Sequence, residues 1–158
     1  MDGPDSLCAK AWEPFFVAPA DTNGDRIFCG KSRCAESVIV PGQTGVFARE
    51  ALKKGECFEW GIACVVEGYD VNETDTLYTW GTKENKKAAA VSGCGLYFNT
   101  RGDASNVRCV PYHSEKRYEM YALEDIAAGE ELTIRYDSTN WREKFTELKG
   151  IIGALEER

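Results

Sequence analysis

Two stretches of the sequence decide the fold: TGVFAREALKKGE at residues 44–56 and ALEDIAAGEELTIRY at residues 122–136. The first opens on apolar residues that predict a strand at 46–48, and it then turns at the Lys-Lys-Gly-Glu of residues 53–56. The second turns at the Ala-Gly-Glu of residues 128–130 and continues into a predicted strand at 131–136. Both stretches therefore predict short strands that are joined by glycine turns.

Most of the remaining chain shows the same pattern of short predicted strands and turns. Further strands are predicted at 37–40, 57–67, 96–98, 107–111 and 117–123, and a hairpin is predicted between 37–40 and 46–48 across the Pro-Gly-Gln-Thr-Gly turn of residues 41–45. The more polar stretch at 72–90 ends in three alanines and predicts one irregular helix or two short ones. Residues 1–34 predict an extended arm with one or two strands.

The last segment is the one with a clear helical period. Its apolar residues recur on one helical face, and Asn140 with Glu143 forms an N-cap and capping-box pair. The spacing predicts a C-terminal helix over residues 141–155, packed on its own domain or on a second copy, which leaves a homodimer open. The face comprises Trp141, Phe145, Leu148, Ile152 and Leu155.

Length and composition bound the class of protein. A chain of 158 residues with 43% hydrophobic residues is ordinary for one folded domain. No run approaches the 18 or so apolar residues of a membrane span, and no basic-then-apolar leader is seen, so we expect an intracellular protein, nuclear or cytoplasmic, without a membrane partner. The net charge of -7 argues against direct nucleic-acid binding and favours a cationic partner.

The cysteines and the single histidine argue against a metal centre. There are seven cysteines with no Cys-x-x-Cys pair, and His113 is the only histidine. We therefore expect no zinc site, and we expect the thiols to be buried and reduced. The cysteines are Cys8, Cys29, Cys34, Cys57, Cys64, Cys94 and Cys109.

Taken in order, the two decisive stretches resemble the opening and closing motifs of SET-domain protein-lysine methyltransferases. That family has a Gly-x-Gly turn before its Gly-Val-Phe-Ala, then an Asn-His-Ser segment, and then Gly-Glu-Glu-Leu-Thr-x-x-Tyr. Here LYFNTR at residues 96–101 stands at the Asn-His-Ser segment, and Ser105-Asn106 stands at the Pro-Asn that follows. Tyr78, Trp141 and the small size are similar to the stand-alone SET proteins of algal DNA viruses.

The resemblance implies a mainly β fold of the β-clip type, built of short strands, in which the chain after residues 99–106 forms a pseudoknot. A C-terminal helix completes it. The domain organisation that follows is an N-terminal extension at 1–34, a SET domain at 35–142 and a C-terminal helix at 143–158.

The resemblance also implies a function, namely methyl transfer from S-adenosyl-L-methionine to a lysine of a basic protein or peptide, a histone tail being one such substrate. The implied catalytic residues are Tyr136 and Tyr78. The implied cofactor-binding residues are Thr44, Gly45, Asn99, Thr100, Tyr136 and Trp141. The implied substrate-binding residues are Tyr78, Phe98 and Ile134. Relatives often have Tyr or Phe at the position of Ile134, and a Tyr there can fill the space that a methylated amine needs. Because Ile134 has no hydroxyl and leaves that space apolar, we expect two or three methyl groups to be added.

Three departures from the family pattern leave alternatives open. Gln43 stands at the first glycine of the Gly-x-Gly turn, and Thr100 and Arg101 replace the His and Ser. One alternative is a SET-like peptide-binding module without catalytic activity. Another is a β-clip domain that is unrelated to methylation.

Overall fold

The computed structural model describes residues 26–32, 43–70 and 77–142, and within these ranges eight strands form two antiparallel sheets. The order is β1-β2-β8 in the smaller sheet and β4-β5-β3-β7-β6 in the larger. The strands are β1 Ile27–Lys31, β2 Thr44–Ala48, β3 Cys57–Asp70, β4 Tyr78–Thr79, β5 Lys87–Val91, β6 Val107–Tyr112, β7 Arg117–Ala122 and β8 Glu131–Leu132. The described part also holds two 3-10 helices, η1 Gly102–Ala104 and η2 Asp137–Asn140.

The smaller sheet is organised around β2, which confirms the strand predicted at 46–48. Its residues Val46, Phe47 and Ala48 are buried. One edge pairs with β1 and the other with β8, so Val46 stands between Cys29 and Leu132. The strand predicted at 37–40 lies outside the described residues, and the hairpin partner observed for β2 is β1.

The larger sheet is built on β3, a long strand that continues past the predicted end at residue 67. It pairs with β5 on one side and β7 on the other. The hairpin of β6 and β7 confirms the two strands predicted at 107–111 and 117–123. The strand predicted at 96–98 is wrong, because these residues leave a turn and only Asn99, just after them, makes a bridge, to Thr133. One apolar cluster joins both sheets, and it includes Val46 and Leu132 of the smaller sheet with Phe58 and Met120 of the larger.

The prediction of helix over 72–90 is wrong for the part that the structure describes. Residues 87–91 form β5, which is hydrogen-bonded between β3 and β4. Ala88 and Ala89 are fully buried there. Alanine favours helix in isolation, but burial between two paired strands decides the conformation here.

A crossing of the chain positions the site. Thr133 and Ile134 run parallel to two separate segments at once: the Ile134 amide donates to the Asn99 carbonyl at 2.9 Å, and the Val107 amide donates to the Thr133 carbonyl at 2.9 Å. The closing motif thus lies between the two ends of the segment 99–107. This is the pseudoknot that the resemblance implies.

The predicted C-terminal helix lies almost wholly outside the described residues. Its expected N-cap, Asn140, is the last residue of η2, and Trp141 follows with non-helical backbone angles. Neither η1 nor η2 is long or apolar enough to cross a membrane, and these are the helices of the described ranges.

Candidate active site

A large cavity opens between the closing motif, β4 and β6, with a volume of about 1510 Å³. Most of the residues that the sequence singled out line it together, although they come from distant parts of the chain. These are Thr44, Tyr78, Phe98, Asn99, Ile134, Tyr136 and Trp141. Gly45 and Thr100 are not among the described residues that line it.

Tyr136 lies immediately before η2, with its ring packed against the apolar core. Its hydroxyl donates a hydrogen bond to the backbone carbonyl of Phe98 at 2.6 Å. Phe98 is itself buried and lies against Phe58, with ring centroids 6.4 Å apart. The core therefore fixes both ends of the bond that orients the Tyr136 hydroxyl.

Tyr78 reaches the same cavity from β4. Its hydroxyl donates to the sulfur of Cys109 on β6 at 3.2 Å, and its ring meets Trp80 edge-on at 6.4 Å. Burial raises the pKa of Tyr78 well above that of an ordinary phenol, so the hydroxyl keeps its proton. Burial likewise raises the pKa of the Cys109 thiol to about 11.

Cys109 is a site residue that the sequence analysis missed. It lines the cavity and holds the Tyr78 hydroxyl. The available signal was its position two residues after Val107, on the same face of a predicted strand. A cysteine in such a strand is normally interpreted as part of the core, and its partner lies 31 residues away along the chain.

The start of β2 is held by Asn99. The Gln43 side-chain amide donates to Asn99 Oδ1 at 2.6 Å, and Asn99 Nδ2 donates to the Thr44 carbonyl at 3.0 Å. Asn99 Nδ2 also lies 3.3 Å from Glu131 Oε1. Asn99 therefore holds the backbone where β2 begins, and Gln43, which departs from the family pattern, supplies one of its bonds.

Gly45 and Thr100 lie beside the start of β2. A Cβ at Gly45 would overlap the Glu131 carboxylate, so any larger residue here would have to displace that side chain, which also lies near Asn99 Nδ2. The Thr100 side chain is buried, and its hydroxyl accepts a hydrogen bond from the Gly102 amide at 3.0 Å. Through these contacts, the two residues hold backbone in place beside the cavity.

Charged side chains at the cavity wall are mainly cationic. The described lining includes one acidic residue, Asp137, against Lys83, Arg108, Arg135 and Arg142. Arg142 is buried, and its guanidinium donates to the Thr79 hydroxyl at 2.9 Å. The acidic surplus of the chain therefore lies elsewhere than on this lining.

The described residues include no cluster of His, Cys, Asp or Glu that could hold a metal ion. The expectation of buried thiols is wrong for Cys29, Cys57 and Cys64, which are exposed. Cys94 and Cys109 meet it in part, because both are partly buried and pack against the core. These thiols sit at strand surfaces and in a turn that the sequence pattern could not locate.

Comparison with known proteins identifies the family to which the chain belongs. The family model of the SET domain matches residues 43–137. A candidate histone methyltransferase of Plasmodium falciparum is similar at 25% identity and a TM-score of 0.51, over 71% of this chain and 93% of that one. No curated protein matches the sequence.

Structures of Polycomb Repressive Complex 2 of Chaetomium thermophilum share the fold. One, bound to S-adenosylmethionine, is 22% identical with a TM-score of 0.54 and covers 80% of this chain. A second, bound to GSK126, is 23% identical with a TM-score of 0.53. This chain spans 17% of the length of each of those chains. Because the family model matches more than half of the sequence and ends just past Tyr136, the chain belongs to the SET domain family.

Proposed function

We propose that this chain is a protein-lysine methyltransferase that uses S-adenosyl-L-methionine. The observation that carries the proposal is the state of two hydroxyls in one cavity: Tyr136 donates to the Phe98 carbonyl, and Tyr78 donates to the Cys109 sulfur. A phenol has a single proton to donate. Both oxygens therefore offer only acceptor lone pairs to anything else that enters.

Two acceptors in a largely apolar cavity suit an amine that must react without its charge. A free lysine with a pKa near 10.4 is protonated at pH 7, and presenting it as neutral amine costs roughly 4.6 kcal/mol. Burial beside Phe98 and Ile134 lowers the pKa of an amine. The lone pairs of Tyr78 and Tyr136 accept its remaining N–H groups and fix its direction of approach.

The residues present fit the cofactor. The cavity volume of about 1510 Å³ exceeds the 300–1,000 Å³ of ordinary ligand sites, which leaves room for a nucleoside and a lysine side chain together. The cationic lining suits the α-carboxylate of an amino acid, and Thr44 and Asn99 also line the cavity. When bound, S-adenosyl-L-methionine supplies a methyl group on a positively charged sulfur.

Different residues of the chain would bind the cofactor, orient the amine and exclude water. The start of β2, held by Asn99, would bind the cofactor, and Trp141, which lines the same cavity, would contact it. Tyr136 and Tyr78 orient the amine, and the apolar wall at Phe98 and Ile134 excludes water from the reaction path. The interactions of the two hydroxyls with the methyl and the amine strengthen in the transition state.

Two observations bear on the substrate and on the rival function. The acidic surplus behind the net charge of -7 lies outside the cationic cavity lining, so it favours a basic protein segment along the protein surface, of which a histone tail is one, in keeping with the candidate histone methyltransferase of similar structure. The rival is a peptide-binding module that has lost the cofactor. The Gln43 to Asn99 hydrogen bond argues against it, because the residue that departs from the family pattern still holds Asn99 at the start of β2.

Calorimetry with S-adenosylhomocysteine tests the first step. We expect micromolar binding, and no binding would favour the peptide-binding module. An array of peptides with lysines in basic, neutral and acidic surroundings, incubated with labelled cofactor, then tests the reaction. We expect label on the basic members, and label that is absent from every peptide would contradict this substrate class.

A further inference from the structure

Two cysteines from distant parts of the chain bring their sulfurs together outside the cavity. The Cys29 thiol on β1 donates to the sulfur of Cys94 at 3.7 Å, across 65 residues of sequence. A disulfide has a sulfur separation of about 2.05 Å, so an approach of under 2 Å would join the two. Cys94 lies in the turn after β5, outside the strand pairing of either sheet.

The surroundings distinguish the two thiols. Cys29 is exposed, whereas Cys94 is partly buried and its amide donates to Glu59 Oε1 at 2.6 Å. Burial, followed by the nearby Glu59 carboxylate, raises the pKa of the Cys94 thiol to about 12. Gly93, with a φ of 68° and no Cβ, lets the Glu59 carboxylate approach this closely. A solvent oxidant therefore meets Cys29 first.

We propose that Cys29 and Cys94 are a redox modification site and form an intramolecular disulfide on reaction with a hydroperoxide. The Cys29 sulfur attacks a peroxide oxygen; the S–O bond forms, the O–O bond breaks, and the leaving oxygen takes the Cys29 proton and departs as an alcohol, or as water from hydrogen peroxide, with a sulfenic acid left on Cys29. The Cys94 sulfur then attacks Cys29; the S–S bond forms, the S–O bond breaks, and the hydroxyl leaves with the Cys94 proton as water. With hydrogen peroxide, two thiols yield one disulfide and two water molecules.

The bond would tie β1 to a wall of the cavity. Cys94 is followed directly by residues 95–99, which line the cavity and include the Phe98 carbonyl that holds Tyr136. The oxidised chain thus has a covalent link between the smaller sheet and this wall. A link that closes so long a loop lowers the entropy of the unfolded chain, so the oxidised form unfolds at a higher temperature than the reduced form.

Trypsin makes the test direct, because each cysteine falls on a separate peptide. Cleavage after Arg26 and Lys31 releases IFCGK, and cleavage after Lys87 and Arg101 releases AAAVSGCGLYFNTR. The full chain is treated with hydrogen peroxide, free thiols are capped with iodoacetamide, and the digest is analysed by mass spectrometry. We expect a linked pair that is two hydrogens lighter than its two peptides and that separates on reduction. The titratable thiols should fall from seven to five.

Matched variants identify the pair. Cys29→Ser and Cys94→Ser should each abolish the linked peptides and the gain in melting temperature, whereas Cys64→Ser, at an exposed cysteine of β3, should keep both. The proposal is overturned if the two peptides of peroxide-treated wild-type protein are found separately, whether capped or over-oxidised. It is equally overturned if either cysteine is found linked to a different thiol. The wild-type peptide map decides the question even where a variant folds poorly.

Discussion

The hydroxyl of Tyr136 is tied to the backbone carbonyl of Phe98 by a hydrogen bond of 2.6 Å that spans 38 residues of sequence. Phe98 directly precedes Asn99, whose carbonyl accepts from the amide of Ile134. The pseudoknot therefore orients the hydroxyl, because it brings the closing motif against the segment that supplies the acceptor. A local strand or turn could not have fixed the direction of this group.

Tyr136→Phe removes that hydroxyl and keeps the ring. We expect the methyl-transfer rate to fall about tenfold or more, or about 1.4 kcal/mol in the transition state, because the oxygen interacts most strongly there. The lost hydrogen bond should lower the free energy of unfolding by only about 1 kcal/mol. Tyr69→Phe, at an exposed tyrosine of β3, is the control for kinetics and melting. Full activity with a lowered melting temperature would make Tyr136 a packing residue.

Cys109 should act through Tyr78. In Cys109→Ala the Tyr78 hydroxyl loses its acceptor, and its proton becomes free to point at the incoming amine as a competing donor. We expect kcat to fall severalfold in Cys109→Ala and to recover in Cys109→Ser, whose oxygen accepts the same bond. The measurement is a double-mutant cycle of kcat/KM with Tyr78→Phe, in which the alanine change should add little. Fully additive effects would contradict the coupling.

The sequence predicted those parts of the fold that depend on local pattern. The apolar run at Val46 and Phe47 is sufficient to indicate β2, and β6 and β7 form a hairpin of neighbouring strands. Strand β5 was missed because Ala88 and Ala89 become strand only through two paired neighbours. The pseudoknot came from the resemblance, since no periodicity encodes a crossing of distant segments.

The residues of the candidate site also differ in whether the sequence could predict them. Tyr136 was found because the closing motif is continuous in sequence. Cys109 was not, because its role exists only through a contact with Tyr78 from another strand. The motif could place Asn99 at the cavity, but it could not indicate that both ends of the Asn99 amide are used to hold Gln43 and Thr44.

Buried Glu59 should make stability depend on pH. Burial raises its pKa from 4.5 to about 7, and the described structure gives its Oε2 atom no hydrogen-bond partner. The folded chain therefore binds more protons than the unfolded chain between these values. Its contribution to stability is most favourable below about pH 4.5 and is lost as the pH rises through 7. At about 1.4 kcal/mol per pKa unit, the loss is about 3 kcal/mol.

Glu59→Gln should remove this dependence, because an amide oxygen can still accept the Cys94 amide without becoming charged. We expect the variant to be more stable than wild type at pH 8 and to differ much less at pH 5. Chemical denaturation at several pH values measures both. Wild-type and variant stabilities that run parallel from pH 5 to 8 would show that Glu59 is ionised throughout.

Trp141→Ala should weaken cofactor binding more than it destabilises the fold. The residue lines the cavity and is only partly buried, so a ligand in the cavity can contact its exposed surface. We expect the affinity for S-adenosylhomocysteine to fall about tenfold, in the range of a lost stacking contact. Trp60→Ala, at a half-exposed tryptophan of β3, should leave the affinity unchanged. An equal loss of melting temperature with and without ligand would make Trp141 a structural residue.

Ile134 should set how many methyl groups are added. It lines the cavity two residues before Tyr136 and is only 3% exposed. A tyrosine there could hold a water molecule and fill the space that a methylated amine needs, which would favour a single transfer. Isoleucine keeps that space apolar, so a mono- or dimethylated amine can rotate and present its lone pair again. We therefore expect the wild-type product to carry two or three methyl groups under excess cofactor.

Ile134→Tyr should shift the product towards one methyl group, and Ile134→Val, which keeps the wall apolar, should leave the distribution unchanged. Mass spectrometry of a peptide product measures both, and melting curves identify a variant that is overpacked. If the wild-type product stops at one methyl group and Ile134→Tyr gives the same product, another group must limit the reaction. The Tyr78 and Cys109 pair would then be the next group to vary, because it supplies the other hydroxyl in the cavity.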